Sequence, residues 1–344
     1  MAGAGPDTAG CRAWTPTRSG TTHPTSTTST RMHATPGPLV VADVGPTASG
    51  KSDLALDLAE ALGGEVVNAD ASQLYRGMDI GTAKVPPGDR RGTPHHQLDV
   101  LDVTDEASVA AYQQHARADL TAIADRGRHA VVVGGSGLYV RALLDRLEIP
   151  PTHPEVRAGL EEEAARLGTA TLYARLRGVD PAAADAIEPN NTRRIVRALE
   201  VIDLTGRPFS ATMPTREYLR PTLALGLELP REVLDERIGT RVARMWRDGL
   251  LDEVRGLVPL GLREGRTASR ALGYAQALAQ LDGAMTATEA QEQTAAMTRR
   301  FARRQESWFR PDPRITWLDP REDGTTTRAL ALVRAAIGDN GRHG

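Results

Sequence analysis

An α/β fold, a parallel-sheet core with a helical domain inserted into it, is what this sequence predicts. Three observations carry the prediction. Short valine-rich runs alternate with helical periodicity through the first 145 residues. The stretch VVADVGPTASGKSD, residues 40 to 53, joins one such run to a helix through a glycine-bracketed loop. From about residue 148 the texture turns helical, and it returns to strand at TLALGLEL.

Taken in order, residues 1 to 36 are rich in Thr, Ser, Pro and Gly with almost no apolar periodicity, and are expected to form a disordered tail. They have some transit-peptide character, with arginines and one acid, Asp7, but lack the amphipathic pattern; Met32 is the preferred true start. PLVVADV (38–44) is the first strand, and Asp43 is a charge inside it that nothing in the sequence accounts for. A helix follows from Lys51 to Leu62, with Leu54, Leu58, Ala61 and Leu62 on one face and Gly63 and Gly64 to end it. EVVNA is a second strand leading to Asp70, Ala107 to Arg126 a second helix, and AVVVGG (130–135) a third strand. Strands alternating with helices make a parallel sheet, and ligands of such sheets collect at the carboxyl ends of strands. Gly45 to Ser52, Asp70 and Gly134 to Ser136 all fall there.

EIPPTHP opens a helical stretch that runs to about residue 206. After TLALGLEL, helices continue to Arg310, and RITWL is a last short strand. The expected organisation is a core of residues 37–145 and 222–322, a helical insertion at 146–221, and a C-terminal helix or tail at 323–344.

The chain of 344 residues is 40% hydrophobic and 25% charged, ordinary for a globular protein. Its net charge of −2 requires any nucleic-acid surface to be a local patch rather than a global field. Aromatics at 4% argue against recognition through many stacked bases. The single cysteine, Cys11, makes no internal disulfide and fits a reducing, cytoplasmic compartment. No apolar run reaches the roughly 18 residues of a membrane span. Only two lysines occur, Lys51 and Lys84, among many arginines. A lysine kept against such a bias points to a site where guanidinium does not serve, so Lys84 is read as a second anion-binding lysine.

Gly45-Pro46-Thr47-Ala48-Ser49-Gly50-Lys51-Ser52 matches G-x-x-x-x-G-K-[ST], with a strand before it and a helix after it, which makes the core P-loop NTPase-like. Loop N–H groups and the helix N-terminus suit phosphate oxygens, Lys51 adds a point charge, and the Ser52 hydroxyl suits Mg²⁺. The alternative is a glycine-rich turn with no ligand. Kinases and NTPases usually place a second acid at a strand end to hold the metal. Here the strand ends in Gly134-Gly135-Ser136, which weakens phosphoryl transfer and leaves room for an enzyme that binds a diphosphate as a leaving group. Asp70 stands opposite this loop, as a metal ligand or proton acceptor, or as a helix-capping aspartate before Ser72. His95 and His96 are neighbours without a Cys/His cluster, so packing or hydrogen bonding is preferred to zinc.

Two helices are basic. NNTRRIVRALEVI buries Ile195, Leu199 and Ile202 and gathers Arg193, Arg194 and Arg197 on its other side. Residues 287 to 310 carry Arg299, Arg300, Arg303 and Arg304 at spacings of three and four. Either these contact a polyphosphate or nucleic acid, or they are solvated faces paired with nearby glutamates.

With these strings in place, the chain resembles the tRNA dimethylallyltransferases, over about residues 38 to 320. The resemblance rests on GPTASGKS, DASQLYRGMDIGTAK, PHHQLD, VVVGGSGLYVRALL, PEVR, NNTRRIVRALEV, RIGTRVARMWRDGLLDEV, ALGYAQAL and TRRFARRQESWF. It implies transfer of a dimethylallyl group from dimethylallyl diphosphate to N6 of the adenosine 3′ to the anticodon of tRNA, with Mg²⁺, by a cytoplasmic monomer that binds the anticodon stem-loop. It further implies that Gly45 to Ser52 and Arg241 bind the diphosphate, with Ser136 beside them. Asp70 is the implied general base, and Asp70, Ala71, Ser72 and Gln73 touch the flipped base. Arg157, Arg193, Arg194, Arg197, Arg270, Gly273, Tyr274, Arg299 and Arg303 stand where tRNA is contacted. Ser136 falls where the family often has threonine, and Ala275 where a basic residue is common. A small-molecule kinase, a prenyltransferase of free adenine nucleotides and a nucleic-acid-binding module with a vestigial loop are the competing readings. The missing strand-end acid, the arginines of the insertion and the intact Lys51, Ser52 and Asp70 respectively stand against them.

Overall fold

The computed structural model describes residues 38–212 and 216–343. The expected disordered tail, Cys11 and Met32 lie outside the described residues. Six parallel strands form one sheet in the order β3-β2-β4-β1-β5-β6. They are β1 (Val40–Val44), β2 (Glu65–Asn68), β3 (His95–His96), β4 (Ala130–Gly134), β5 (Thr222–Leu227) and β6 (Ile315–Leu318). β1 is central, its residues in register with Ala130–Gly134 of β4 and Thr222–Gly226 of β5. Buried at the centre of the sheet, β1, β4 and β5 read as near-continuous apolar runs, interrupted by Asp43, rather than as alternation.

Helices cover both faces. α1 (Lys51–Leu62) follows β1 and α2 (Val109–Asp125) precedes β4. Val41 packs with Leu54, Ala55, Leu58 and Ala59 of α1, and Val40, Ala42 and Val44 pack with α2 and with α3 (Gly137–Leu144). Burying leucines such as Leu58 contributes about 1.5–3 kcal/mol each, and this pins α1 to the sheet. α1 ends where Gly63 turns left-handed at φ 58° and bonds back to Ala59 and Glu60. α12 (Thr325–His343) packs on the same face as α1, through Ala329 and Val333.

Between β4 and β5 the chain builds α4 (Pro154–Leu167), α5 (Thr169–Val179), α6 (Pro181–Ala186) and α7 (Thr192–Thr205). These helices share a small core of their own around Leu160, Leu172, Leu176, Ile195 and Leu199. The two crossings to the sheet pair with each other, Leu219 N–H donating to Leu144 O and Arg146 N–H to Glu217 O. Buried Asp145 sits beside them, bonded to Arg141 and Arg314. After β5 come α8 (Arg231–Arg247), α9 (Leu250–Leu257), α10 (Tyr274–Leu281) and the long α11 (Ala287–Phe309). α8, α9 and α10 enclose a further core with Tyr75, Met78 and Val103.

β3 is the strand the sequence does not announce. It is two polar residues at the sheet edge, held by Val66 and Val67 of β2 and by His96 Nε2 against Glu65 at 2.7 Å. The histidines are thus edge and hydrogen-bonding residues.

Candidate active site

The loops that leave β1, β2 and β4 come together at the carboxyl end of the sheet. Gly45 sits at φ 142°, and a Cβ there would lie 2.7 Å from the Leu227 carbonyl oxygen of β5, so the strand must leave through glycine. Ala48 at φ 65° and Gly50 at φ 100° continue a loop with left-handed turns, the kind of backbone that forms anion-binding nests. Lys51 opens α1 and its Nζ donates to Pro46 O at 2.5 Å. Burial pulls the Lys51 ammonium down to about 8, against the opposing pull of Asp43 and Asp70. Ser52 is next along the helix.

Asp43 points to the same side of β1 as Val41, toward α1. It is fully buried, and neither carboxyl oxygen has a hydrogen-bond partner among the described residues. Burial pushes its carboxyl well above the usual carboxylate range, with Lys51 opposing. The charge that looked out of place in the strand is therefore driven toward its neutral form.

Asp70 ends the β2 segment and caps the short turn Ala71–Leu74, Oδ1 accepting from Ser72 N–H at 3.0 Å and Ser72 Oγ–H at 2.6 Å. Capping uses one oxygen; Oδ2 has no hydrogen bond among the described residues. Asn68 fixes the backbone here, accepting from Asp70 N–H and donating to Asp70 O and Gln97 O. The charge of Asp70 raises both Lys51 and Arg241, which places all three in one electrostatic neighbourhood. Arg241 comes from α8, and its Nη2 donates to Thr82 O at 3.3 Å, the same carbonyl that accepts from Gln73 Nε2. Burial lowers the Arg241 guanidinium. Ser136 precedes α3, and its hydroxyl accepts from Ala71 N–H at 3.2 Å, tying the β4 loop to the β2 loop.

A cleft of about 320 Å³ reaches Ser52, Asn68 and Gln73. Another, of about 470 Å³, lies between the sheet and α3, against Trp308 and the Asp145–Arg314 pair. It touches none of Lys51, Ser52, Asp70, Ser136 or Arg241.

One expectation is revised, and the structure places three of the residues read as tRNA contacts. Lys84 is not an anion-binding lysine: it is buried, and its Nζ donates to Tyr75 O, Asp79 and Asp99, which uses its donors up. Tyr274 is fully buried, its hydroxyl donating to Glu253, so its ring is not at the surface. Arg157 and Arg197 both bond the buried carboxylate of Glu200, and Arg197 also donates to Pro150 O and Pro151 O. Arg193, Arg194, Arg270 and Arg303 are exposed, and Arg299 is half-buried with Nη2 near Asp235 O.

The sequence reading also passed over some residues. Glu253 accepts from the N–H groups of Asp79, Ile80 and Gly81 and shapes the loop beside Arg241. Gln305 of α11 reaches both the loop after β1 and the loop after β4. An uncharged glutamine in an arginine-rich helix gives no signal of that reach.

A central strand that runs through a glycine-bracketed loop into a helix, with an aspartate and an arginine at the same sheet end, defines an α/β protein with a P-loop-like core. A profile of the IPP transferase family matches residues 73–312. The chain belongs to that family. It is 61% identical over 298 residues to the tRNA dimethylallyltransferase of Kineococcus radiotolerans, covering 85% of this chain and 94% of that one. It is 60% identical over 301 residues to the enzyme of the same name from Streptomyces avermitilis, covering 87% and 96%. Among solved structures, the tRNA isopentenylpyrophosphate transferase of Bacillus halodurans superimposes with a TM-score of 0.65 at 38% identity, over 88% of this chain and 98% of that one. A eukaryotic dimethylallyltransferase acting on tRNA gives a TM-score of 0.76 at 26% identity, over 88% and 80%.

Proposed function

We propose that this chain transfers a dimethylallyl group from dimethylallyl diphosphate to N6 of the adenosine 3′ to the anticodon in tRNA, releasing diphosphate. The observation that carries the reading is the grouping of Asp70 with Lys51 and Arg241 beside the P-loop. A cradle and two cations suit a departing diphosphate, and a carboxylate with one unengaged oxygen suits an amine that must lose a proton. The names of the relatives support the same reading.

The exocyclic amine of adenine is a poor nucleophile because its lone pair feeds the ring. An allylic diphosphate offsets this by ionising readily. The N6–carbon bond forms as the carbon–oxygen bond to diphosphate breaks, and the amine proton passes to Asp70 Oδ2. Charge building on the diphosphate is met by Lys51, Arg241 and loop N–H groups. Ser136, tied to Ala71, closes the cradle from the β4 side. The base must leave its stack, at a cost of a few kcal/mol, and exposed arginines on the inserted helices and α11 offset that cost on the tRNA backbone.

The residues present fit Mg²⁺. Among the described residues no cluster of three or more His, Cys, Asp or Glu is placed to hold a metal. Mg²⁺ at a phosphate site needs only one or two protein oxygens besides phosphate and water, and Ser52 Oγ is such an oxygen. When bound there, the ion supplies neutralising charge to the diphosphate. No helix among the described residues is long and apolar enough to cross a membrane.

The test is incubation with radiolabelled dimethylallyl diphosphate and bulk tRNA, beside γ-labelled ATP. Label is expected in tRNA from the first donor only. Phosphoryl transfer from ATP without alkylation of RNA overturns the reading.

A further inference from the structure

We propose that Gln305 is a positioning residue for the diphosphate cradle, setting the P-loop and the Ser136 loop at a fixed separation. The inference rests on the functional reading above and adds a residue to it. Gln305 lies on α11 and is buried. Its Oε1 accepts from Thr47 N–H at 2.8 Å and its Nε2 donates to Gly135 O at 3.0 Å. One amide therefore spans the two loops that must close on the same anion.

The rest of the local geometry points the same way. Thr47 precedes Ala48, a residue with a side chain held left-handed at φ 65°. Such a conformation costs on the order of 1 kcal/mol or more and persists only where neighbours impose it. Two side-chain bonds hold the residues just before Ala48, Lys51 Nζ to Pro46 O and Thr47 N–H to Gln305 Oε1, and only the second comes from outside the loop and its helix. It also commits that N–H to Gln305, which leaves the anion to the amides after it. On the other side, Ser136 is flanked by Gly135 and Gly137. A Cβ on Gly135 would lie 2.1 Å from Gln305 Nε2, and one on Gly137 would lie 2.0 Å from the Trp308 ring. At both glycines it is side chains of α11, Gln305 and Trp308, that crowd the backbone. The GGSG run is thus moulded on α11, and the Ser136 hydroxyl is delivered from that mould to Ala71 N–H.

Gln305 touches no reacting atom, so its effect must pass through Thr47 and Ser136. The test compares wild type with Gln305→Leu, which keeps the bulk and loses both bonds, and with Gln305→Glu, which keeps the acceptor for Thr47 and loses the donor to Gly135. Binding of inorganic diphosphate is measured by calorimetry and tRNA binding by filter retention. Gln305→Leu is expected to weaken diphosphate binding about tenfold with tRNA binding unchanged, and Gln305→Glu to weaken it at least as much, because it sets a carboxylate oxygen against Gly135 O and a negative charge beside the cradle. A double-mutant cycle adds the readout that a loss of packing does not move. Ser136→Ala should weaken diphosphate binding in the wild type and far less in the Gln305→Leu background. Equal diphosphate affinity in wild type and both variants, or strict additivity with Ser136→Ala, overturns the proposal. A wild type that binds diphosphate but alkylates no RNA would sink the functional reading and leave the clamp standing.

Discussion

At the scale of residues, Asp70 has one capped oxygen and a proposed base, and chemistry can separate the two. Its Oδ1 caps a turn, and its Oδ2 has no hydrogen bond among the described residues. Asp70→Asn keeps an oxygen for Ser72 and removes the base, so turnover should fall roughly 100-fold or more with the melting temperature and tRNA affinity nearly unchanged. Single-turnover alkylation and filter binding read the two effects; undiminished turnover removes Asp70 from the mechanism. Lys51 gives a second test. With its ammonium held down to about 8, it is charged below that pH and discharges as pH rises through it. The kcat/KM for the allylic donor, which reports the free enzyme, should therefore decline above about pH 8. A bound diphosphate favours the charged form, so the decline in kcat should lie at higher pH. An unbroken plateau of kcat/KM to pH 10 would mean that Lys51 is not perturbed as its burial implies.

Elements are where the sequence was most and least readable. β1, the loop and α1 were legible because three local signals agree: a buried run, glycines where φ is positive, and a leucine face at helical spacing. β3 was not, since two adjacent histidines carry no periodicity and become a strand only because β2 offers them an edge. Lys84, Arg157 and Arg197 show the same limit for charges. Composition marks a charge but not its partner, and Glu200 lies 43 residues from Arg157. Glu65 is the edge counterpart, joining His96 of β3 to Arg126 and Arg128 beyond α2. Hydrogen bonds from Arg126 and His96 hold its carboxyl down to about 2 despite burial. A depressed carboxylate contributes stability that is complete above its unfolded value near 4.5 and lost as pH falls through about 2. Glu65→Gln should therefore cost roughly 1–3 kcal/mol at pH 7. Urea unfolding should show that gap narrowing between about pH 4.5 and pH 2, and a gap independent of pH would assign the loss to packing.

For the whole molecule, a net charge of −2 leaves attraction of the proposed tRNA substrate to particular arginines rather than to the protein's overall field. The structure divides the basic residues of the insertion into two kinds. Arg193 and Arg194 are exposed at the start of α7 and make no ion pair among the described residues. Arg157 and Arg197 hold buried Glu200, whose carboxylate is kept low by those two arginines and His153 N–H against its burial. The two pairs should respond in opposite ways to the same substitution. Arg193→Ala with Arg194→Ala should leave the melting temperature unchanged and flatten the dependence of log Kd for tRNA on log salt by about 1.5–2, one unit or slightly less per phosphate contact. Arg157→Ala with Arg197→Ala strands a carboxylate beneath α4 and α7, so thermal stability should drop by several degrees. Its tRNA affinity should weaken mainly through that loosening, with a salt slope close to that of wild type. Salt titrations of tRNA binding and melting curves on the two double variants decide the matter. If the second pair flattened the slope and left the melting curve in place, the arginines that hold Glu200 would be the ones that meet RNA.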